Sequence, residues 1–293
     1  MKFTDCHPIT NLVFYIGAIG FGMCLLHPAC LVCSFLFALV YYSIVKGEVR
    51  KYLGRILMLF MVVSLINPFF NRYGETILFV YFNGRSYTLE ALGYGLASAG
   101  MFCSIMTWFA SYSVVMTKDK FLFCFGKLAP TVSLILTMVF RFIPDFQRKL
   151  QQVSGIRKSI GLSTSSGTNR EKIKHGMNII SSVTSWALES SVVTADSMRS
   201  RGYGSGRRTS YSIYSFKKKD QFLLFIMLLL LLITLLCALN GGFTAEYTPS
   251  LYISDWDNAW TIIGVGSYFL FLAIPSVLHL IEEIIWHISR SKI

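Results

Sequence analysis

Residues 222–239 read FLLFIMLLLLLITLLCAL, eighteen consecutive positions without a charge. At about 1.5 Å of rise per residue, this run, helped slightly by its flanks, crosses a hydrocarbon core of about 30 Å. Comparable runs occupy residues 9–26, 29–45, 56–70, 89–115 and 259–286. The expectation is an all-α integral membrane protein with about six transmembrane helices. None of the runs reads as a cleavable signal, because Lys2 is the only early base and the first apolar run is followed at once by a second.

Composition agrees. Hydrophobic residues make up 54% of the 293-residue chain and charged residues 14%, where soluble domains carry roughly 25% charge. The net charge is nevertheless +12. Residues 141–220 hold 15 of the 27 bases and 5 of the 15 acids. The chain is thus an apolar, nearly neutral body interrupted by one basic insert. This excludes a disordered tail protein, a secreted disulfide scaffold and a free-standing nucleic-acid binder.

Flanking bases orient the spans. Lys46, Arg50, Lys51 and Arg55 follow the second run against a single Glu48, and Lys118, Lys120 and Lys127 follow the fourth. Residues 240–257 hold Glu246, Asp255 and Asp257 and no base. Basic loops in the cytosol place both termini and residues 141–220 inside, with the acidic loop outside. Residues 121–140 are apolar enough to suggest a further crossing, but Lys127 and Pro130 leave only about ten clean apolar positions before Arg141. That length suits a membrane-lying helix, read here over 121–143. The organisation is then residues 1–120 with four spans, 121–220 as an interfacial and cytosolic region, and 221–293 with two spans.

Within the insert, Arg141-Phe-Ile-Pro144 leads into a helix ending near Gly161-Leu162, and STSSGTN (163–169) is a loop by composition. Thr168 and Glu171 stand in the relation of a capping box. From there Ile173, Met177, Ile180, Ala187, Val192, Ala195 and Met198 step mainly by three and four, which predicts a one-sided helix of about 27 residues, on the order of 40 Å. Its small residues (Ser181, Ser185, Ala187, Ser190, Ser191, Ala195) permit close crossing by another helix. Both helices close alike, with Arg157-Lys158-Ser159-Ile160-Gly161-Leu162 in the first and Met198-Arg199-Ser200-Arg201-Gly202-Tyr203 in the second. Each glycine stands where a helix C-cap favours one, and a cation in the last turn suits the helix dipole. A simple pair of capped helices accounts for this, as does a pair of cytosolic tips offered to a partner's groove.

Arg141-Phe-Ile-Pro144, Thr184-x-x-x-Leu188-Glu189 and Ala195-Asp196-Ser-Met198-Arg-Ser200-Arg201-Gly202-Tyr203-Gly204, followed by Arg208-Thr209, resemble the T component of energy-coupling factor transporters, the membrane scaffold of prokaryotic vitamin and transition-metal importers. The resemblance is strongest over residues 120–220. It implies a multi-pass cell-membrane protein in which two long coupling helices cross beneath the bilayer, each ending in a short Ala-Arg-x motif docked on one of two ABC-type ATPase subunits. It also implies a small substrate-binding S component in the membrane, and ATP bound by the partner subunits rather than by this chain. By position, Ser200-Arg201-Gly202 is the second motif, with Arg201 as the docking base. The first falls on Ser159-Ile160-Gly161, where Ile160 replaces the arginine and leaves Arg157 or Lys158, about one turn earlier, to supply the charge.

Other chemistry is weaker. The run from Arg201 to Arg208 is glycine-rich, but no Gly-x4-Gly-Lys-Ser/Thr occurs in the chain, and one aromatic is no RNA-stacking platform. His279, Glu282, Glu283 and His287 do not follow His-Glu-x-x-His. Cys30 and Cys33 form a Cys-x-x-Cys inside an apolar run, read as small apolar residues in a reducing cell. Glu90, at the start of the fourth run, is nearly alone among intramembrane ionisable residues, which disfavours a proton-coupled carrier. The expected function is a non-enzymatic energy-coupling scaffold without cofactor, metal or nucleic acid. The alternatives are a multi-pass enzyme acting on lipid head groups and a membrane anchor for nucleic acid or anionic lipid.

Overall fold

The structure is a computed structural model that describes residues 3–47, 49–71, 76–81, 85–126, 129–162, 168–206, 214–247, 252–253 and 258–290. A 3-10 turn at Phe3–Asp5 precedes α1 (Pro8–Cys24), α2 (Pro28–Lys46) and α3 (Val49–Phe70). The hairpin β1 (Ile77–Tyr81) and β2 (Arg85–Thr88) leads to α4 (Leu89–Val115), α5 (Lys118–Gly126), α6 (Pro130–Ser159) and α7 (Asn169–Ser200). After α8 (Lys218–Leu239), the short pair β3 (Ala245–Glu246) and β4 (Tyr252–Ile253) precedes α9 (Ala259–Arg290). Five helices, α2, α3, α4, α8 and α9, are long and apolar enough to cross a membrane. This is consistent with an all-α membrane protein, to which the structure adds two small antiparallel hairpins. At 17 residues α1 is shorter, about 26 Å.

Two compact units divide the chain: Met1–Phe121 with Tyr214–Ile293, and Leu122–Ile213. In the first, half of the apolar stretch of α4 and of α9 is buried, against 17% for α3 and α8, so α4 and α9 are central. Helix α4 packs on α1, α2 and α3, while α9 packs on α2 and α8. Their core is aromatic: Phe14 stacks on Phe271 at 5.1 Å and meets Trp108 edge-on at 5.3 Å, and Phe3, Tyr15 and Tyr41 close around them. Apolar burial drives little association between helices in lipid, so hydrogen bonds and close approach at small residues carry more of the load. Ser34 and Ser104 bond at 2.8 Å while Trp108 Nε1 donates to Ser34 Oγ, Thr234 and Ser267 bond at 3.0 Å, and Asn67 Nδ2 donates to Ser98 Oγ. A Cβ on Gly95 would stand 2.8 Å from the Ser64 carbonyl, so α3 and α4 approach closely only because residue 95 is glycine.

Several boundaries differ from expectation. The membrane-lying helix read over 121–143 does not occur as one element, since α5 ends at Gly126 and α6 starts at Pro130 and runs without interruption to Ser159. The first long helix therefore begins some eleven residues before Arg141, and Pro144 sits inside it. Proline at 130 occupies the first turn, where its missing amide costs nothing, whereas Pro144 removes one backbone donor in mid-helix. Arg50, Lys51 and Arg55 are not in a loop but on the first turns of α3, and Gly47 in the left-handed region (φ +72°) ends α2 just ahead of it. Lys118 and Lys120 belong to α5, and Lys127 lies outside the described residues.

Candidate functional site

The second unit contains the two helix ends singled out above. Helix α7 starts where Glu171 turns back to accept the Thr168 amide (2.9 Å) and hydroxyl (3.0 Å). The hydroxyl thus donates to the carboxylate, and these bonds, the amide's first, hold the Glu171 carboxyl below its usual range. From there α7 runs 32 residues, about 48 Å.

The face by which it packs is only partly the one the apolar spacing picks. Ile173, Met177, Ile180 and Val192 are each more than half exposed. Of that spacing Ala187 and Met198 are partly buried, and the covered stripe otherwise runs through Ile179 and Val183, both buried, and Trp186, Ser190 and Thr194, partly buried. Opposite it on α6, Phe146 meets Trp186 edge-on at 5.7 Å, and Lys149 Nζ lies 5.5 Å from the Trp186 ring centroid. A cleft of about 830 Å³ beside this crossing is lined by Phe146, Leu150, Ile180, Val183 and Ala187. Helix α7 therefore has two stripes about a third of a turn apart: one meets α6, and the other (Ile173, Met177, Ile180, Leu188) stays open.

The two helix ends are built identically. In α6 the Leu162 amide donates to the Arg157 carbonyl (2.9 Å) and the Gly161 amide to the Lys158 carbonyl (3.2 Å). In α7 the Tyr203 amide donates to Met198 (3.0 Å) and the Gly202 amide to Arg199 (3.0 Å). With Gly161 at φ +76° and Gly202 at φ +82°, both are Schellman caps, in which only glycine enters the left-handed position freely. Ile160 and Arg201 occupy the same cap position in the two motifs. Each is exposed, Ile160 at 65%. Ser159, Ser200, Gly202, Tyr203 and Gly204 are likewise exposed.

The two cations considered in place of the missing arginine part company. Lys158 is exposed, while Arg157 lies on the covered side of α6 with its Nε shut off from solvent. Arg141, Pro144, Glu189 and Asp196 are exposed along the helix shafts, Met198 is partly buried, and Arg208 lies outside the described residues.

In the first unit, Glu90 is buried and bound structurally: Oε1 accepts from the Thr76 hydroxyl (2.7 Å) and amide (3.3 Å) at the corner between β1 and α4. The cysteines described, Cys30 and Cys33 among them, are free thiols. Among the described residues no three His, Cys, Asp or Glu side chains gather as metal ligands. A groove of about 550 Å³ between α2, α3 and α4 is lined almost wholly by apolar side chains, including Leu31, Phe35, Leu57, Phe60 and Leu96.

Sequence reasoning missed a cluster at the ends of α4 and α8. Lys120 and Asp220, 8% and 2% exposed, are both bonded to the backbone of the N-terminal segment. Their only sequence signal is a lysine just past the end of one apolar run and an aspartate just before another. No family model matches the chain, and no curated protein matches it.

Proposed function

We propose that the chain is the non-catalytic energy-coupling scaffold of an ATP-driven micronutrient importer, passing motion from two ATPase subunits to a substrate-binding membrane subunit. The observation that carries this reading is the pair of identically capped, exposed tips closing α6 and α7, within a sequence that resembles the T component in the same residues. In this reading α6 and α7 are the coupling helices, and Arg201 enters an acidic groove on one ATPase. Ile160 enters an apolar groove on the other, flanked by Lys158 rather than Arg157. The two ATPases are then different proteins, because one tip offers a cation and the other a branched aliphatic side chain.

The membrane part has six spans in this proposal. Helix α1 falls about 4 Å short of a 30 Å core, a gap that Leu25 and Leu26 cover. Both termini and both tips face the cytosol of a prokaryotic cell.

The test is purification of the tagged chain in mild detergent. Two distinct ATPase chains accompany it, Arg201→Glu removes one, and Ile160→Glu removes the other. A chain that purifies alone and turns over a lipid substrate by itself refutes the proposal, as does retention of both ATPases by the double variant. Labelling of a cysteine at position 165 from outside intact cells would overturn the topology alone.

A further inference from the structure

The chain leaves the first unit after Phe121 and returns to it at Tyr214. The last turn before the departure and the first turn after the return each bury a charge. Lys120 Nζ donates to the Thr4 carbonyl and, at 3.1 Å, to the Val115 carbonyl at the end of α4. Asn11, in the amide orientation that satisfies both of its atoms, accepts from Lys120 Nζ at 3.3 Å and donates to the Phe3 carbonyl at 3.0 Å. These three acceptors match the three hydrogens of an ammonium.

On the return side, Asp220 Oδ1 accepts from the His7 amide and Oδ2 from the Lys217 amide, both at 3.3 Å. The His7 ring stands edge-on to Phe216 at 4.6 Å, and its Nδ1 accepts the Ile9 amide at the start of α1. Phe3 anchors the same segment in the aromatic core, 5.2 Å from Phe14 and 6.0 Å from Tyr41. Residues 3–11 therefore touch the end of α4, the start of α8 and the core at once.

We infer that residues 3–11 are a strap that fixes both passages of the chain between the two units, with Lys120 and Asp220 as its positioning residues. Lys120, through Thr4 and Asn11, and Asp220, through the His7 amide, cannot shift without moving this segment or losing those partners, and the second outcome is strongly unfavourable for a buried charge. The strap thus makes departure and return move as one body. Resting on the scaffold reading above, the strap is the part of the first unit that couples the end of α4 to the start of α8. The side chains of Asp220 and Lys120 are the parts to substitute, since apart from the Asn11 amide the strap contributes backbone Thr4 O and His7 N–H.

Hydrogen exchange on the purified chain tests the strap without reference to any partner. Asp220→Asn and Lys120→Met accelerate exchange tenfold or more in residues 118–121 and 214–220, leaving residues 95–111 within twofold, and Lys120→Arg restores most of the protection. No change, or equal acceleration throughout the first unit, overturns the strap. On the complex with its copurified ATPases, trapping with ATP and vanadate changes exchange in α8 of the unaltered chain, and Asp220→Asn abolishes that change while the ATPases remain bound. Persistence of the change in Asp220→Asn refutes the coupling role. Failure of the unaltered chain to bring down ATPases refutes the scaffold reading instead, and leaves the first measurement to decide the strap.

Discussion

Trp186→Ala probes how firmly α7 is held to α6. Among the described residues of the second unit, only Ile179 and Val183 in the long helices are buried, and α6 has none, so Trp186 is a large part of what joins the pair. Truncating a partly covered indole exposes on the order of 100 Å² of apolar surface, about 2.5 kcal/mol at about 25 cal/mol per Å². Its edge-to-face contact with Phe146 contributes about 1 kcal/mol. The Lys149 ammonium over the ring adds about 0.5 kcal/mol at such an open site. The total, about 4 kcal/mol, corresponds to roughly a thousandfold change in the opening equilibrium. Hydrogen exchange in detergent or nanodiscs reads this directly, because local opening sets amide protection. Amides of residues 176–194 exchange two to three orders of magnitude faster in Trp186→Ala, while those of 95–111 keep their protection. Leu188→Ala, on the open stripe at 65% exposure, changes protection less than threefold. Unchanged protection in Trp186→Ala, or an equal effect from Leu188→Ala, refutes the assignment of the packed face.

Other substitutions test the remaining contacts. Gly202→Ala places a Cβ on a backbone at φ +82° and 3.2 Å from Ser205 Oγ, costing about 1–2 kcal/mol, visible as faster exchange at residues 199–203. Gly264→Val brings a Cβ to 2.6 Å from Phe243 and 2.9 Å from Cys237, and lowers Tm through a penalty of about 1–3 kcal/mol for overpacking, whereas Gly266→Ala, where space is open, leaves Tm unchanged or raises it. Burial, and after it Asp220, pushes the Cys6 thiol from 9.0 up to about 11. A raised folded-state pKa means stability that is complete below pH 9 and lost between pH 9 and about 11, about 3 kcal/mol in all, and Cys6→Ser removes that loss in pH-dependent unfolding. Lys120 acts in the opposite sense: burial lowers its pKa from 10.5, so stability rises with pH below 10.5, and Lys120→Met flattens that rise.

What the sequence makes legible follows from where its signals are local. Helix α4 has the bounds expected for the fourth run, since Thr88 caps it by accepting the Ala91 amide and the apolar run ends at Val115. The caps at Gly161 and Gly202 were equally readable, because a left-handed residue after a helix is a requirement on one position. The packed face of α7 was readable only at Ala187 and Met198. A period of 3.6 finds apolar residues, and α7 carries them on two stripes, of which the covered one is completed by Ser190 and Thr194 rather than by further apolar side chains. The break at residues 126–130 was assigned instead to Arg141 and Pro144, because charge and proline mark helix ends more often than they lie inside one. The strap leaves almost no trace in sequence, since its bonds join residues 116 and 213 positions apart and, Asn11 aside, end on backbone atoms.

The polar chemistry inside the first unit bears on what the bundle can carry. Ser34 with Ser104 and Trp108, Thr234 with Ser267, and Asn67 with Ser98 each join two different helices. Glu90 is bound to the Thr76 amide and hydroxyl at a hairpin corner. Polar groups used in this way hold helices at fixed spacing, and a solute would have to break helix–helix bonds to use them as ligands. The groove between α2, α3 and α4 offers instead Leu31, Phe35, Leu57, Phe60 and Leu96, with Gly93, Ala97 and Gly100 allowing close approach. Such a surface is compatible with close packing against lipid chains or another apolar helix and offers no ligand to a hydrated polar solute. The first unit thus combines polar bonds that tie its helices to one another with an outer groove that offers almost no polar group to a ligand.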